Sequence, residues 1–170
     1  KGKPFETKEQ LEAAIRASNE NGFPTAVHAI GDASVGLVLD AFASSTKPGT
    51  RPNRIEHIEL IETGDIKRFK DLGVVASMQP NHATGTIGKY ITERIGEGRE
   101  PRAYVWHAML EAGVPLVFGS DWPTSPLSPL TQINDAVFRE SPFGLGNGPW
   151  HPEQAVSFDQ ALFSYTQAGA

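Results

Sequence analysis

One unit recurs along this 170-residue sequence and constrains its fold more than any other feature. The unit is a stretch with helical spacing, a glycine that stops it, a short apolar run and then a polar residue. It occurs at 7–32, 62–82 and 101–121, and a weaker copy joins the helical pattern at 32–45 to an apolar stretch at 54–58. Helices that alternate with short apolar strands are typical of parallel βα units. The sequence therefore predicts an α/β fold with four parallel strands.

Side-chain patterns mark where several helices begin. Thr7 with Gln10, and Ser157 with Gln160, have the spacing of capping boxes at the start of the first and last helices. Asp32 is predicted as the N-cap of the second helix. The last helix is predicted to run to the end of the chain.

Polar residues follow or close each of the four predicted strands. These residues are His28, His57, Gln79 together with His82, and Asp121. Ligand sites in βα folds lie at the carboxyl ends of the strands, so we expect these side chains to meet at one edge of the sheet. The predicted strands cover residues 24–27, 54–58, 74–78 and 114–118.

Three of these residues suggest a metal site. The imidazoles of His28 and His57 and the carboxylate of Asp121 are ligands suited to zinc or a similar divalent ion. Each residue alone is better explained as a capping or packed polar group, and that alternative stays open here, whereas all three at equivalent strand ends favour a metal site. A serine hydrolase is disfavoured, because Ser34 falls inside a predicted helix and lacks the first glycine of a nucleophile elbow.

Three sequence blocks, taken in order, carry a family resemblance. They read AVHAIGDASVGLVLDAF, RIEHIELIETGDIKRFKDLGVVASMQPNHAT and AYVWHAMLEAGVPLVFGSDWPTSPLSPL. Over about residues 6–170 the chain resembles the amidohydrolase superfamily, in the amidohydrolase-3 branch that includes N-substituted formamide deformylases. The resemblance implies a metal-dependent (β/α)8 barrel with a small β-sandwich domain.

The resemblance also implies roles for single residues. His28 and His57 would be the metal ligands of the fifth and sixth barrel strands. Asp121 would be the eighth-strand carboxylate, which binds metal and acts as general acid and base. His82 would face the substrate. Gln79 would also bind the substrate if its side chain points into the mouth of the barrel. Alternatively, it forms a hydrogen bond to a neighbouring loop.

Part of the family pattern does not occur in this sequence. The His-x-His pair of the first barrel strand is missing, as is the fourth-strand region with its bridging ligand. A (β/α)8 barrel typically takes about 250 residues. We therefore expect residues 1–170 to form a single fragment, a partial TIM barrel with approximately strands five to eight and their helices.

Two functions follow from this expectation. In the first, the longer protein is a hydrolase of non-peptide carbon–nitrogen bonds, such as amides or formamides, that uses water activated by one or two divalent ions, zinc being expected. In the second, the chain by itself is a catalytically incompetent half-barrel that self-associates through open sheet edges.

The resemblance implies a small amide-type molecule as the partner, and the composition argues against nucleic acid and membranes as partners. The formal net charge of −5 gives no electrostatic footprint for nucleic acid or an anionic membrane. No apolar run approaches the roughly 18 residues that a membrane span needs. The absence of cysteine fits a reducing compartment, so a cytoplasmic location is expected.

Overall fold

The computed structural model describes residues 3–46, 51–84, 93–96, 98–140 and 148–170. Its strands are β1 (Ala26–Ala29), β2 (Arg54–His57), β3 (Val75–Met78) and β4 (Leu116–Phe118). Its helices are α1 (Lys8–Glu20), α2 (Asp32–Ser45), α3 (Thr63–Leu72), α4 (Pro80–Thr84), α5 (Trp106–Glu111), α6 (Pro129–Phe138) and α7 (Phe158–Tyr165). Single 3-10 turns lie at Glu100–Arg102 and Pro152–Gln154.

The four strands form one parallel sheet in chain order, β1-β2-β3-β4. Ala29 pairs with His57 across β1 and β2, and Met78 pairs with Phe118 across β3 and β4. The carboxyl ends of all four strands therefore lie along one edge. The predicted α/β fold is confirmed, and the sheet is consistent with part of a TIM barrel.

The sheet is covered by its connecting helices through one hydrophobic core. Ile55 in β2 and Ala76 in β3 are fully buried, and so are Leu39 and Phe42 on α2 and Phe69 on α3. Burying a large apolar side chain contributes roughly 1.5–3 kcal/mol. This core holds the strands in register, and so fixes the edge at which the polar residues meet.

Both capping boxes form as predicted, but two other helix boundaries were wrong. Gly31 is the N-cap of α2, and Asp32 is its first residue, because the Asp32 carboxylate accepts from the Ala33 N–H and pairs with Arg99. The last helix ends at Tyr165, before the end of the chain, because Thr166 leaves the helical region at φ −121° and ψ −73°.

The third predicted unit is less helical than its sequence pattern suggested. Only Trp106–Glu111 of that pattern is α-helical. The preceding residues run along the segment after β2 instead, where Ile61 N donates to Arg102 O and Tyr104 N donates to Glu59 O, each at 3.1 Å. These hydrogen bonds take the place of the hydrogen bonds within a helix that the sequence pattern predicted for the residues before Trp106.

Strand boundaries differ from the predicted ones by small shifts. β1 begins and ends two residues later than predicted, so that His28 lies inside it, and β4 begins at Leu116 rather than Val114. None of the helices in the described ranges is long and apolar enough to cross a membrane.

Candidate metal centre

The carboxyl edge of the sheet gathers the residues that the sequence singled out. His28 lies within β1 and His57 is the last residue of β2. Gln79 follows β3 directly, and Asp121 lies on the loop after β4. Parallel pairing in chain order therefore brings together side chains that are far apart in sequence.

His82 reaches the same place from the short helix α4, which starts directly after β3. Its side chain is 3% exposed, and its Nε2 atom lies 3.7 Å from Asp121 Oδ2. Its ring is stacked on that of His57, with the ring centroids 5.9 Å apart and the planes 6° from parallel. His82 is therefore part of the same cluster as His57 and Asp121.

One ligand atom from each of His57, His82 and Asp121 lies within 4.8 Å of the other two. The two histidines are buried, whereas the Asp121 side chain is 39% exposed. Two imidazoles and one carboxylate at this spacing could hold a divalent cation, with its remaining coordination position facing solvent.

His28 was predicted as a metal ligand, and it lies beside this cluster rather than within it. Its ring centroid is 4.4 Å from that of His57, at an interplanar angle of 63°. The residue is exposed. The structure thus places His28 next to His57, and it places His82, predicted to face the substrate, in the cluster with His57 and Asp121.

His57 is held in the form that binds metals. Its Nδ1 lies 3.0 Å from Gln79 Oε1, a side-chain carbonyl that can only accept a hydrogen bond. Nδ1 therefore carries the hydrogen, and Nε2 keeps its lone pair. Burial lowers the pKa of His57, and the neighbouring His28 lowers it further against the opposing effect of Asp121. A lowered pKa keeps the imidazole neutral at neutral pH.

The backbone is strained at two of the site residues. His57 has φ 78° and Asp121 has φ 54°, and Ile58 next to His57 has φ 52°. Residues with a side chain adopt this left-handed region at a cost, and such positions concentrate at functional sites. The Asp121 turn is closed by Thr124 N, which donates to Asp121 O at 2.8 Å.

One polar atom supports a bound cation more directly than the spacing does. His82 Nε2 is buried and has no hydrogen-bond partner in the described part of the chain. A buried polar atom without a partner is costly, and a metal ion or a substrate group would satisfy it. The cluster is therefore suited to a divalent ion for two reasons: its side chains are metal ligands, and His82 Nε2 lacks a hydrogen-bond partner among the described residues.

Glu59 is a site residue that sequence reasoning missed as such. Its carboxylate Oε1 lies 3.2 Å from His82 Nδ1, and the residue is 4% exposed. The only signal in the sequence was a carboxylate close behind His57. Strand alternation cannot be extended to Glu59, because the left-handed His57 and Ile58 end the regular period.

Ser34 is not placed as a nucleophile. It lies in the first turn of α2, where its hydroxyl donates to the Gly31 carbonyl at 2.7 Å. This hydrogen bond is local to the start of the helix.

Comparison with known proteins agrees with this arrangement. The model of the Amidohydrolase family matches residues 1–170. The chain is 33% identical over 169 residues to the N-substituted formamide deformylase of Arthrobacter pascens, covering 97% of this chain and 30% of that protein. Crystal structures described as uncharacterized metal-dependent hydrolases from Pyrococcus furiosus and Pyrococcus horikoshii superpose with TM-scores of 0.83 and 0.87, at 32% and 31% identity.

The matches extend over nearly all of this chain but only part of each relative. The alignments to the two Pyrococcus structures cover 99% of this chain and 33% of each of those chains. The chain thus spans about a third of the length of the proteins that it resembles. The match of the family model over all of its residues shows that the chain belongs to the Amidohydrolase family.

Proposed function

We propose that this chain supplies part of the active site of a metal-dependent hydrolase that cleaves non-peptide carbon–nitrogen bonds, such as those of amides or formamides. The observation that carries the proposal is the convergence of His57, His82 and Asp121 within 4.8 Å at the carboxyl edge of a parallel sheet. The names of the relatives support the reaction class: one is a formamide deformylase, and two solved structures are metal-dependent hydrolases.

In this proposal the four strands are strands five to eight of an eight-stranded barrel, and residues 1–170 are a single fragment of one domain. Two findings support it. The strands pair in chain order, as successive barrel strands do. The chain also covers about a third of each structural relative.

The proposed cofactor is a divalent cation, with zinc as the ion that imidazole and carboxylate ligands suit best. His57 and Asp121 are proposed as ligands on both the resemblance and the distances. The resemblance implies His28 as the third ligand, whereas the distances favour His82. Zinc titrations of H28A and H82A variants distinguish the two, since only loss of the true third ligand weakens binding by orders of magnitude.

A bound divalent ion would supply the activation of water and the polarisation of a substrate carbonyl. Asp121, half-exposed at the open side of the cluster, is proposed to accept the water proton and to pass it to the departing amine nitrogen. The atoms balance as water plus amide giving a carboxylic acid and an amine. Gln79 orients His57, and His82 or His28, whichever does not bind the ion, faces the substrate.

The proposed partner is therefore a small amide-type molecule. Self-association through sheet edges and a cytoplasmic location stay predictions from the sequence alone.

The test is an activity assay on the full-length protein. We expect zinc-dependent release of amine from N-substituted formamides or N-acyl amines. Asp121→Asn should lower kcat by about 100-fold or more, the range that general acid–base groups contribute. Asp159→Asn, which removes an exposed carboxylate on α7, is the matched control and should leave kcat unchanged.

Two results would contradict the proposal. Full activity in Asp121→Asn would remove the assigned proton carrier. Failure of the unmutated protein both to retain zinc and to hydrolyse any of these substrates would instead favour a catalytically incompetent half-barrel.

A further inference from the structure

The buried carboxylate of Glu59 has one basic partner among the described residues, and that partner is His82. Glu59 Oε1 and His82 Nδ1 are 3.2 Å apart, and the two side chains are 6% and 3% exposed. A buried carboxylate costs several kcal/mol unless it is paired or hydrogen-bonded. The contact with His82 therefore offsets part of the cost of burying Glu59.

The backbone fixes Glu59 from both sides. On one side, Ile58 N donates to Ala29 O and Leu60 N donates to Ile30 O, at 3.1 and 3.0 Å. On the other side, the Glu59 carbonyl accepts from Tyr104 N at 3.1 Å. Hydrogen bonds on both flanks thus fix the position of the backbone that carries the Glu59 side chain.

A carboxylate oxygen accepts hydrogen bonds and cannot donate them when ionised. The contact therefore requires a hydrogen on His82 Nδ1. The opposite ring nitrogen, Nε2, then faces Asp121 Oδ2 at 3.7 Å, and it is one of the buried side-chain atoms that have no hydrogen-bond partner among the described residues. Without Glu59, Asp121 would be the nearest carboxylate to the ring, and it would draw the hydrogen to Nε2.

The phenol of Tyr104 lines the same buried pocket around Glu59. Burial raises the pKa of Tyr104, and the negative charge of Glu59 raises it further. Tyr104 therefore stays a neutral phenol next to the carboxylate. It adds no further negative charge next to Glu59.

We propose that Glu59 is a positioning residue of the site. It keeps the hydrogen of His82 on Nδ1, so that Nε2, the nitrogen that faces Asp121, carries none. The use of that Nε2, as a ligand or as a contact to substrate, rests on the proposed function. The placement of the hydrogen does not, and it can be measured in the absence of metal. Outer partners of this kind change metal affinity by about 10–100-fold when they are removed.

The test is long-range 1H–15N NMR of the histidine rings, in the metal-free chain at about pH 8.5, roughly two units above the ordinary imidazole pKa. In the unmutated chain we expect His82 to carry its hydrogen on Nδ1. Glu59→Gln keeps an acceptor oxygen and should preserve that state. Glu59→Leu removes the acceptor and should shift the hydrogen toward Nε2.

Two controls separate this effect from general disturbance. His57 is an internal reference, because its Nδ1 is held by Gln79 and should not change in Glu59→Leu. Glu56→Leu removes a nearby carboxylate that pairs with Arg54 instead of a histidine, and it should leave both rings unchanged.

A zinc titration of the same variants links the positioning to the proposed function. Glu59→Leu should bind zinc about 10–100-fold more weakly than the unmutated chain. Glu59→Gln should lose less, and Glu56→Leu should lose nothing.

The outcomes are distinguishable. Hydrogen on Nε2 of His82 in the unmutated chain overturns the positioning role even if Glu59→Leu fails to fold. Unchanged Nδ1 protonation in a folded Glu59→Leu overturns it as well. Nδ1 protonation that depends on Glu59, in a chain that does not bind zinc, supports the positioning role and counts against the proposed metal site.

Discussion

His57 Nδ1 lies 3.0 Å from Gln79 Oε1, across the carboxyl ends of two neighbouring strands. This contact and the one between His82 and Glu59 are alike: in each, an oxygen acceptor holds the Nδ1 side of a buried ring. Both imidazoles are thereby set with Nε2 as the free nitrogen. The site is thus organised by residues that need not touch the cation themselves.

Gln79→Leu should weaken zinc binding by about tenfold or more, because His57 loses the acceptor that fixes its ring. Gln79→Glu keeps an acceptor oxygen and should lose less. Competition with a chromophoric chelator measures both. Ser77→Ala, on β3 just before Gln79, is the control. Equal affinity in Gln79→Leu and the unmutated chain would show that the ring does not depend on this contact.

Asn53 joins the start of β2 to the first βα unit. Its Oδ1 accepts from Thr25 N at 2.7 Å and from Asn19 Nδ2 at 3.2 Å, and its Nδ2 donates to Thr46 Oγ1 at 3.0 Å. Asn53→Ala removes these buried and partly buried hydrogen bonds, so we expect a loss of roughly 1–3 kcal/mol in the free energy of unfolding.

Urea unfolding followed by circular dichroism measures this loss. Asn21→Ala removes an exposed amide and should change stability by less than about 0.5 kcal/mol. If both variants unfolded at the same urea concentration, the Asn53 hydrogen bonds would contribute nothing net to stability.

Asp135 on α6 should make stability depend on pH. It is fully buried, and burial raises its pKa against the opposing effect of hydrogen bonds from Asn81, Thr84 and Asn134. The folded state therefore holds a proton that the unfolded state releases above about pH 3.9. Its contribution is complete below that pH and is lost as the pH rises through the folded-state pKa.

Asp135→Asn removes this titration, so the variant should gain stability relative to the unmutated chain as the pH is raised from about 4 to 7. Thermal unfolding across that range is the measurement. Asp159→Asn, an exposed carboxylate in the first turn of α7, should show no such gain, because a carboxylate there is favourable to the helix. A stability difference that stays constant with pH would mean that Asp135 titrates normally.

The parallel sheet was predictable from the sequence because each unit carries its own local signals. A capping box starts α1, and left-handed glycines such as Gly22 and Gly73 follow helices as the pattern indicated. Those signals act over a few residues, so the predicted ends of the strands lie within about two residues of the observed ones. They also brought His57 and Asp121 to one edge, since parallel strands share their direction.

The remaining features depend on contacts between distant segments. The extended residues before α5 follow from hydrogen bonds to the segment after β2, such as Tyr104 N to Glu59 O, which compete with helix formation. The pairing of Glu59 with His82 depends on the left-handed conformation of His57, the last residue of β2, and of Ile58 after it. In the sequence Asn53 looks like an ordinary loop residue, because its hydrogen bond with Asn19 joins residues that are far apart in the chain. None of these has a signal in local spacing.

The claim on which the account depends is that a cation lies between His57 and Asp121. Anomalous X-ray diffraction at the zinc absorption edge, from crystals of the chain equilibrated with Zn²⁺, tests it most directly. The account predicts a peak about 2.0–2.2 Å from an imidazole nitrogen of His57 and a carboxylate oxygen of Asp121, with His82 or His28 as the third ligand. No peak at this edge of the sheet, or one that contacts neither His57 nor Asp121, would contradict it.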